Sequence, residues 1–220
     1  MATQMSRKLK VGTIVDKALA VLELNAKPVL IYVVAFTAVN FAISYFALSL
    51  TAIMEQVGVG IAKFVVGVAA GYMLLDAMIS RTGLRSRASD DVFFPFVGLS
   101  VLYILGVYAG LIAVVIPGLV VMARWSIAQP MLVARGGGVV ATLGESWERT
   151  SGAELQILGA MLALFILPIS ILIACSVLFK PEDLVGIGVS QLATSALSIV
   201  SAAMGVALYG LIENASDRAG

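Results

Sequence analysis

The chain has no histidine and one cysteine. Without histidine there is no Ser-His or Cys-His nucleophile pair, no imidazole-bound zinc and no histidine-held haem. The lone Cys175 cannot form an intrachain disulfide, and its apolar neighbours mark it as a small buried hydrophobe. Charge is also scarce. Only 12% of residues are charged, about half the usual quarter for a soluble domain. The net charge of +1 offers no basic footprint for nucleic acid. Paired intramembrane aspartates and metal-ligand clusters are missing, so no catalytic residue, metal or cofactor is expected.

What the chain has is hydrophobicity. Of its 220 residues, 60% are hydrophobic, and the mean hydropathy is +1.04. A soluble protein of this size could not cover its surface with the polar residues that remain. The composition therefore predicts an all-α, polytopic transmembrane bundle, one integral membrane domain over residues 1–220. Residues 1–27 are polar and basic, and the apolar run that follows is too long for a secretory signal.

The first element is amphipathic. From Thr13 to Leu24, Ile14, Val15, Ala18, Val21 and Leu22 recur at helical spacing, with Asp16, Lys17 and Glu23 opposite. Such a helix lies in the membrane interface or packs beneath the bundle. Spans are then predicted at Pro28–Ile53, Val57–Ile79, Val92–Ile116, Leu119–Ala134, Leu155–Phe179 and Leu184–Ile212. Met54-Glu55-Gln56 reads as the turn between the first two. Ser89, Asp90 and Asp91 read as an acidic start to the third, with Pro95 in its first turn. Pro117-Gly118 reads as a break. The fourth span is short, roughly 24 Å. Residues 135–154 open on three glycines and place Val140, Leu143 and Trp147 on one face, which predicts an interfacial helix anchored by Trp147. Pro168 falls mid-span and frees the carbonyl of Leu164.

Basic residues test whether the short fourth span crosses. With six spans, 11 Lys and Arg share the side of both termini and 2, Lys63 and Lys180, lie opposite. If Leu119–Ala134 does not cross, Arg135, Arg149 and Arg218 change sides and the bias weakens. The positive-inside rule therefore favours six spans with both termini, including the 213–220 tail, in the cytoplasm.

Small residues form faces at Gly67 and Gly71, at Gly106 and Gly110, and along Gly186, Ser190, Thr194, Ser198 and Ala202. These serve either packing within one bundle or self-association. Arg124 is the one charge left inside the membrane. No acid is expected at its depth, and Tyr103, Tyr108, Asn40, the carbonyl of Leu164 or a lipid phosphate are its candidate partners. With the helix start at Gly118 it forms a candidate anion or lipid-headgroup site, to which Ser126, Gln129 and Asn40 would add polar lining. The alternative is a structural arginine that pins helix ends.

One stretch resembles a known family. Pro117-Gly118, Arg124-Trp125, Pro130, Ala141, Ser146-Trp147, Thr150 and Gly152 are similar to the membrane domain fused to some bacterial glycerophosphodiester phosphodiesterases, and to related stand-alone inner-membrane proteins. The layout of most of the chain is similar, with the specific part confined to residues 117–152. Arg135 stands where family members often carry an acid, so no role for that acid transfers. The phosphodiesterase chemistry of the fused proteins belongs to a soluble barrel outside this region. The resemblance implies a six-helix domain in a bacterial inner membrane, and no activity.

Three functions compete for such a chain. A non-catalytic membrane protein associated with lipids or protein partners suits the sparse polar content. A small permease or channel subunit, with an anion or headgroup site at Arg124, would use the breaks at Pro117-Gly118 and Pro168. A membrane enzyme needs positioned acids, bases or a nucleophile, and with Asp76 standing alone and no metal cluster it is the least favoured of the three.

Overall fold

The computed structural model describes residues 9–86, 92–113, 115–180 and 182–217. Among these residues helices joined by turns and short loops make up the chain, with no strand. Its helices are α1 (Val11–Leu24), α2 (Ala26–Ala47), α3 (Ile53–Thr82), α4 (Phe93–Ala113), α5 (Val115–Arg124), α6 (Ala128–Arg135), α7 (Val139–Arg149), α8 (Glu154–Leu178) and α9 (Leu184–Asp217). Six segments are long and apolar enough to cross a membrane: α2, α3, α4, α8, α9, and α5 with α6 taken together as Val115–Arg135. The expected polytopic bundle is the observed one. Ser89, Asp90 and Asp91 lie outside the described residues, as do Arg7, Lys8, Arg87 and Arg218.

α9 is the hub. It packs against α8, α1, α2, α3 and α6, and 61% of its most apolar stretch is buried, against 11% for α3. Ala203, Val206, Leu208, Tyr209 and Ile212 fill the core near its C-terminal end. Small residues over 202–207 let neighbours approach. A side chain at Gly205 would meet the carbonyl of Ser126 at 3.0 Å. α1 lies beneath the bundle against α9 and α8, burying Ile14, Ala18 and Val21. Its buried face thus meets other helices of the chain.

Two boundaries differ from expectation. Met54-Glu55-Gln56 is not a turn but the first turn of α3, and the reversal falls at residues 48–52. The Glu55 carboxylate accepts the backbone N–H groups of Thr51 and Ala52, each at 3.1 Å, and so closes the helix start. Pro117-Gly118 likewise does not end a helix. α5 has already begun at Val115, and Pro117 sits in its first turn, where a missing N–H costs nothing.

The glycine faces have separate fates. Gly110 meets Gly118 where α4 and α5 cross, and a Cβ added at Gly110 would stand 2.8 Å from the Gly118 Cα. Gly106 receives the Trp125 ring. Gly67 and Gly71 touch nothing of that kind; a Cβ at either would have no neighbour within 4 Å. On α9, Gly186 packs on Phe179, whereas the Ser190, Thr194 and Ser198 hydroxyls bond carbonyls of their own helix. The polar link to α2 runs one position along that ladder, through Gln191 to Ser44 at 2.9 Å and Ser195 to Thr37 at 2.8 Å.

Candidate functional site

Between α5 and α6 the helix breaks over residues 125–127. The Ala128 N–H bonds the carbonyl of Trp125 rather than that of Arg124, and Pro130 has no N–H for Ser126. Irregular backbone at such a place survives only when protein satisfies it. α7 does so. Ser146 and Thr150, four residues apart on one face, donate their hydroxyls to the Arg124 carbonyl at 2.7 and 2.9 Å.

The Arg124 side chain is held as firmly. Its Nη2 pairs with Glu154 at 2.5 Å, its Nη1 donates to the Trp147 carbonyl at 2.8 Å, and the guanidinium lies 5.1 Å from the centre of the Trp147 ring. Side-chain exposure is 15% for Arg124 and 24% for Glu154, so the pair is largely withdrawn from its surroundings. The expectation that no acid reaches Arg124 is therefore corrected. Glu154 opens α8, in the first turn where an acid suits the helix dipole, and the bend after Gly152 (φ +81°) brings it there. No periodicity in the sequence signals this, because the turn at Gly152 interrupts the helix between Thr150 and Glu154. Tyr103, Tyr108, Asn40 and the Leu164 carbonyl do not bond Arg124 among the described residues.

A second cluster closes the same end of the bundle. Arg135 bonds Glu213 (Nη2 to Oε2, 2.6 Å) and Glu145 (3.0 Å), and Arg149 bonds Glu145 (2.7 Å) and Glu213 (3.0 Å). Two cations and two acids thus form a ring that ties α6, α7 and α9, with Arg135 lying 5.7 Å over the Tyr209 ring. Sequence reading had spread these four residues over a loop, a helix face and a tail.

The other expected site residues separate. Gly118 is packed against Leu111 and Gly110, so its helix start offers no room for an anion. Asn40 is buried and donates to the Phe36 carbonyl at 2.9 Å. Trp147 is partly exposed beside Val140, over a shallow apolar groove shared with Leu102 and Leu105. Ser126 and Gln129 do come together, but not with Arg124. They line a cavity of about 60 Å³ with Tyr103, Ser201 and Gly205. It adjoins a larger one of about 300 Å³ between α2, α3, α4 and α9, with Gln129, Tyr103 and Ser201 in both linings.

The larger cavity has an apolar wall and a polar floor. Phe36, Phe64, Leu74 and Ile104 line it beside the open faces of Gly67 and Gly71. Ser100, Tyr103, Gln129, Ser198 and Ser201 supply the polar atoms. Gln129 Nε2 reaches Ser100 Oγ at only 3.4 Å. No charged side chain among the described residues lines it. Trp125 separates it from the Arg124 cluster, with its ring 6.2 Å from Tyr103 on one side and 6.5 Å from Trp147 on the other.

These features define a polytopic α-helical membrane protein with an uncharged cavity in its bundle. Comparison of the chain with family models, with curated proteins and with solved structures gives no match. Five of the residues singled out over 117–152 meet in one place. Arg124, Ser146, Trp147 and Thr150 are bonded to one another, and Trp125 packs on Trp147.

Proposed function

We propose that this chain is a non-catalytic integral membrane protein that associates with lipid. The observation that carries the proposal is the uncharged cavity beside α3 and α4, set in a bundle whose conspicuous charges are already spent on one another. A hydroxyl needs an adjacent base to act as a nucleophile, and the described lining sets its hydroxyls beside one amide and no Asp, Glu, Lys or Arg. We place the protein in a bacterial inner membrane with both termini cytoplasmic, on the strength of the positive-charge bias and the resemblance over 117–152. Association with further membrane proteins, or with itself, would use its small-residue faces. A permease with an anion site at Arg124 is the competing function, and it would require Glu154 to leave the guanidinium.

Gentle purification followed by mass spectrometry of bound lipids and proteins tests this. The expected result is a lipid retained through gel filtration in the wild type and depleted in Gly71→Leu, with Arg124→Leu unaltered per folded molecule. Loss of bound lipid or anion only in the Arg124 variant would favour the permease.

A further inference from the structure

The cavity also specifies what kind of lipid it takes. It has three relevant properties. Its wall is apolar, and Gly67 and Gly71 of α3 line it with open space before them, since no atom stands within 4 Å of a Cβ built there. α3 and α4 meet through Tyr72 against Phe93 and Phe96 at one end. Beyond those rings the cavity lies between the two helices, lined by Gly67 on one and Ile104 on the other. Its floor holds polar atoms with no protein partner. The Tyr103 hydroxyl bonds no described residue, and Gln129 makes only the long contact to Ser100. Tyrosine both donates and accepts, and a glutamine carbonyl accepts, so the floor can serve a hydroxyl and a carbonyl together. Polar atoms in an apolar chamber are costly unless something bonds them.

We propose that this cavity binds an uncharged, lipid-soluble amphiphile. Its hydroxyl or carbonyl group is held by Tyr103 and Gln129, and its chain leaves between α3 and α4 past Gly67 and Gly71. Charge decides the class. An anionic headgroup would find no cation in the lining, because Arg124 faces the other side of Trp125 and is engaged by Glu154 and Trp147. A volume of about 300 Å³ stands at the low end of small-molecule sites, enough for a head and first chain segment. This inference rests on the lipid-associating function above and names its ligand class.

The test uses the full chain in phosphatidylethanolamine–phosphatidylglycerol vesicles. One probe is a photoactivatable diacylglycerol, which carries a hydroxyl and two ester carbonyls and no charge. The other is a photoactivatable phosphatidylglycerol. Crosslinked peptides are mapped by mass spectrometry. Diacylglycerol should label α3 and α4 at the cavity, and unlabelled diacylglycerol should compete. Labelling should fall about tenfold in Gly71→Leu, and about as much in the Tyr103→Phe, Gln129→Leu double variant, the equivalent of roughly 1.4 kcal/mol. Arg124→Leu should leave labelling per folded molecule unchanged. Tyr103→Phe alone preserves shape and guards against misfolding, and should give a smaller fall. Cavity labelling by phosphatidylglycerol in place of diacylglycerol would overturn the uncharged class and leave the lipid function standing. Diacylglycerol labelling spread over the bundle surface and indifferent to the variants would overturn the site. Failure of both probes to label the cavity would overturn the inference and the lipid function together.

Discussion

Arg124 shows how much one residue reveals and how much it hides. A guanidinium amid apolar sequence is conspicuous, because burying it without compensation costs at least about 2.5 kcal/mol on insertion scales. Its carboxylate partner was not legible. Depth along a straight helix puts no acid beside it, whereas the chain breaks over 125–127 and Glu154 arrives from the start of α8. The carbonyl of the same residue explains Ser146 and Thr150, whose hydroxyls replace the helix donor that the break removes. Removing one member of a buried ion pair leaves the other uncompensated, at roughly 3 kcal/mol, whereas replacing both is far milder. Arg124→Leu and Glu154→Leu should therefore each destabilise by about that amount, and the double variant by less than either, a coupling of about 3 kcal/mol or more. Reversible unfolding in mixed micelles measures this, and additive effects would mean that the two residues do not stabilise the fold as a pair.

The helices were largely legible as elements, because hydropathy and length decide what spans a membrane. Their ends and neighbours were less so. A polar triplet such as Met54-Glu55-Gln56 suits a turn or the helix start that closes one, and only the bonds from Thr51 and Ala52 to Glu55 distinguish the two. The glycine pairs make the same point for packing. Gly67 with Gly71 and Gly106 with Gly110 share one spacing, yet the first pair opens on a cavity and the second on the Trp125 ring and α5. A sequence marks a face as small without naming what approaches it. The contrast is measurable with a single methyl group. Gly110→Ala forces a Cβ to 2.8 Å from the Gly118 Cα, and backbone there cannot yield cheaply, so a loss of about 2 kcal/mol is expected. Gly67→Ala meets open space and gains helix propensity, so it should be neutral or stabilising by up to about 1 kcal/mol. The same unfolding assay reads both, and equal effects would remove the distinction between the two pairs.

At the scale of the whole molecule, contacts and charge arithmetic reach the six-span topology independently. The Ser86 N–H bonds the Ala134 carbonyl at 3.2 Å, so the chain just after α3 and the end of α6 stand at the same membrane face. α4 crosses between them once, so Val115–Arg135 must cross back. The ion-paired ring extends this to the end of α9, because Arg135 and Glu213 cannot touch across an apolar core about 30 Å thick. The lower hydropathy of the Val115–Arg135 segment, 1.3 against 2.7 for α8, reflects the polar break that α7 satisfies. Cysteine mapping in a Cys175→Ser background checks the arrangement and its orientation. Ser49 and Glu182 are exposed in the α2–α3 and α8–α9 turns, and Glu148 and Asn214 are exposed at the opposite end. With both termini cytoplasmic, a membrane-impermeant maleimide should label Ser49→Cys and Glu182→Cys in intact cells, and Glu148→Cys and Asn214→Cys only after permeabilisation. The reverse pattern would keep six spans and invert the protein. Labelling of Ser49→Cys and Glu148→Cys from the same side would mean that Val115–Arg135 does not cross.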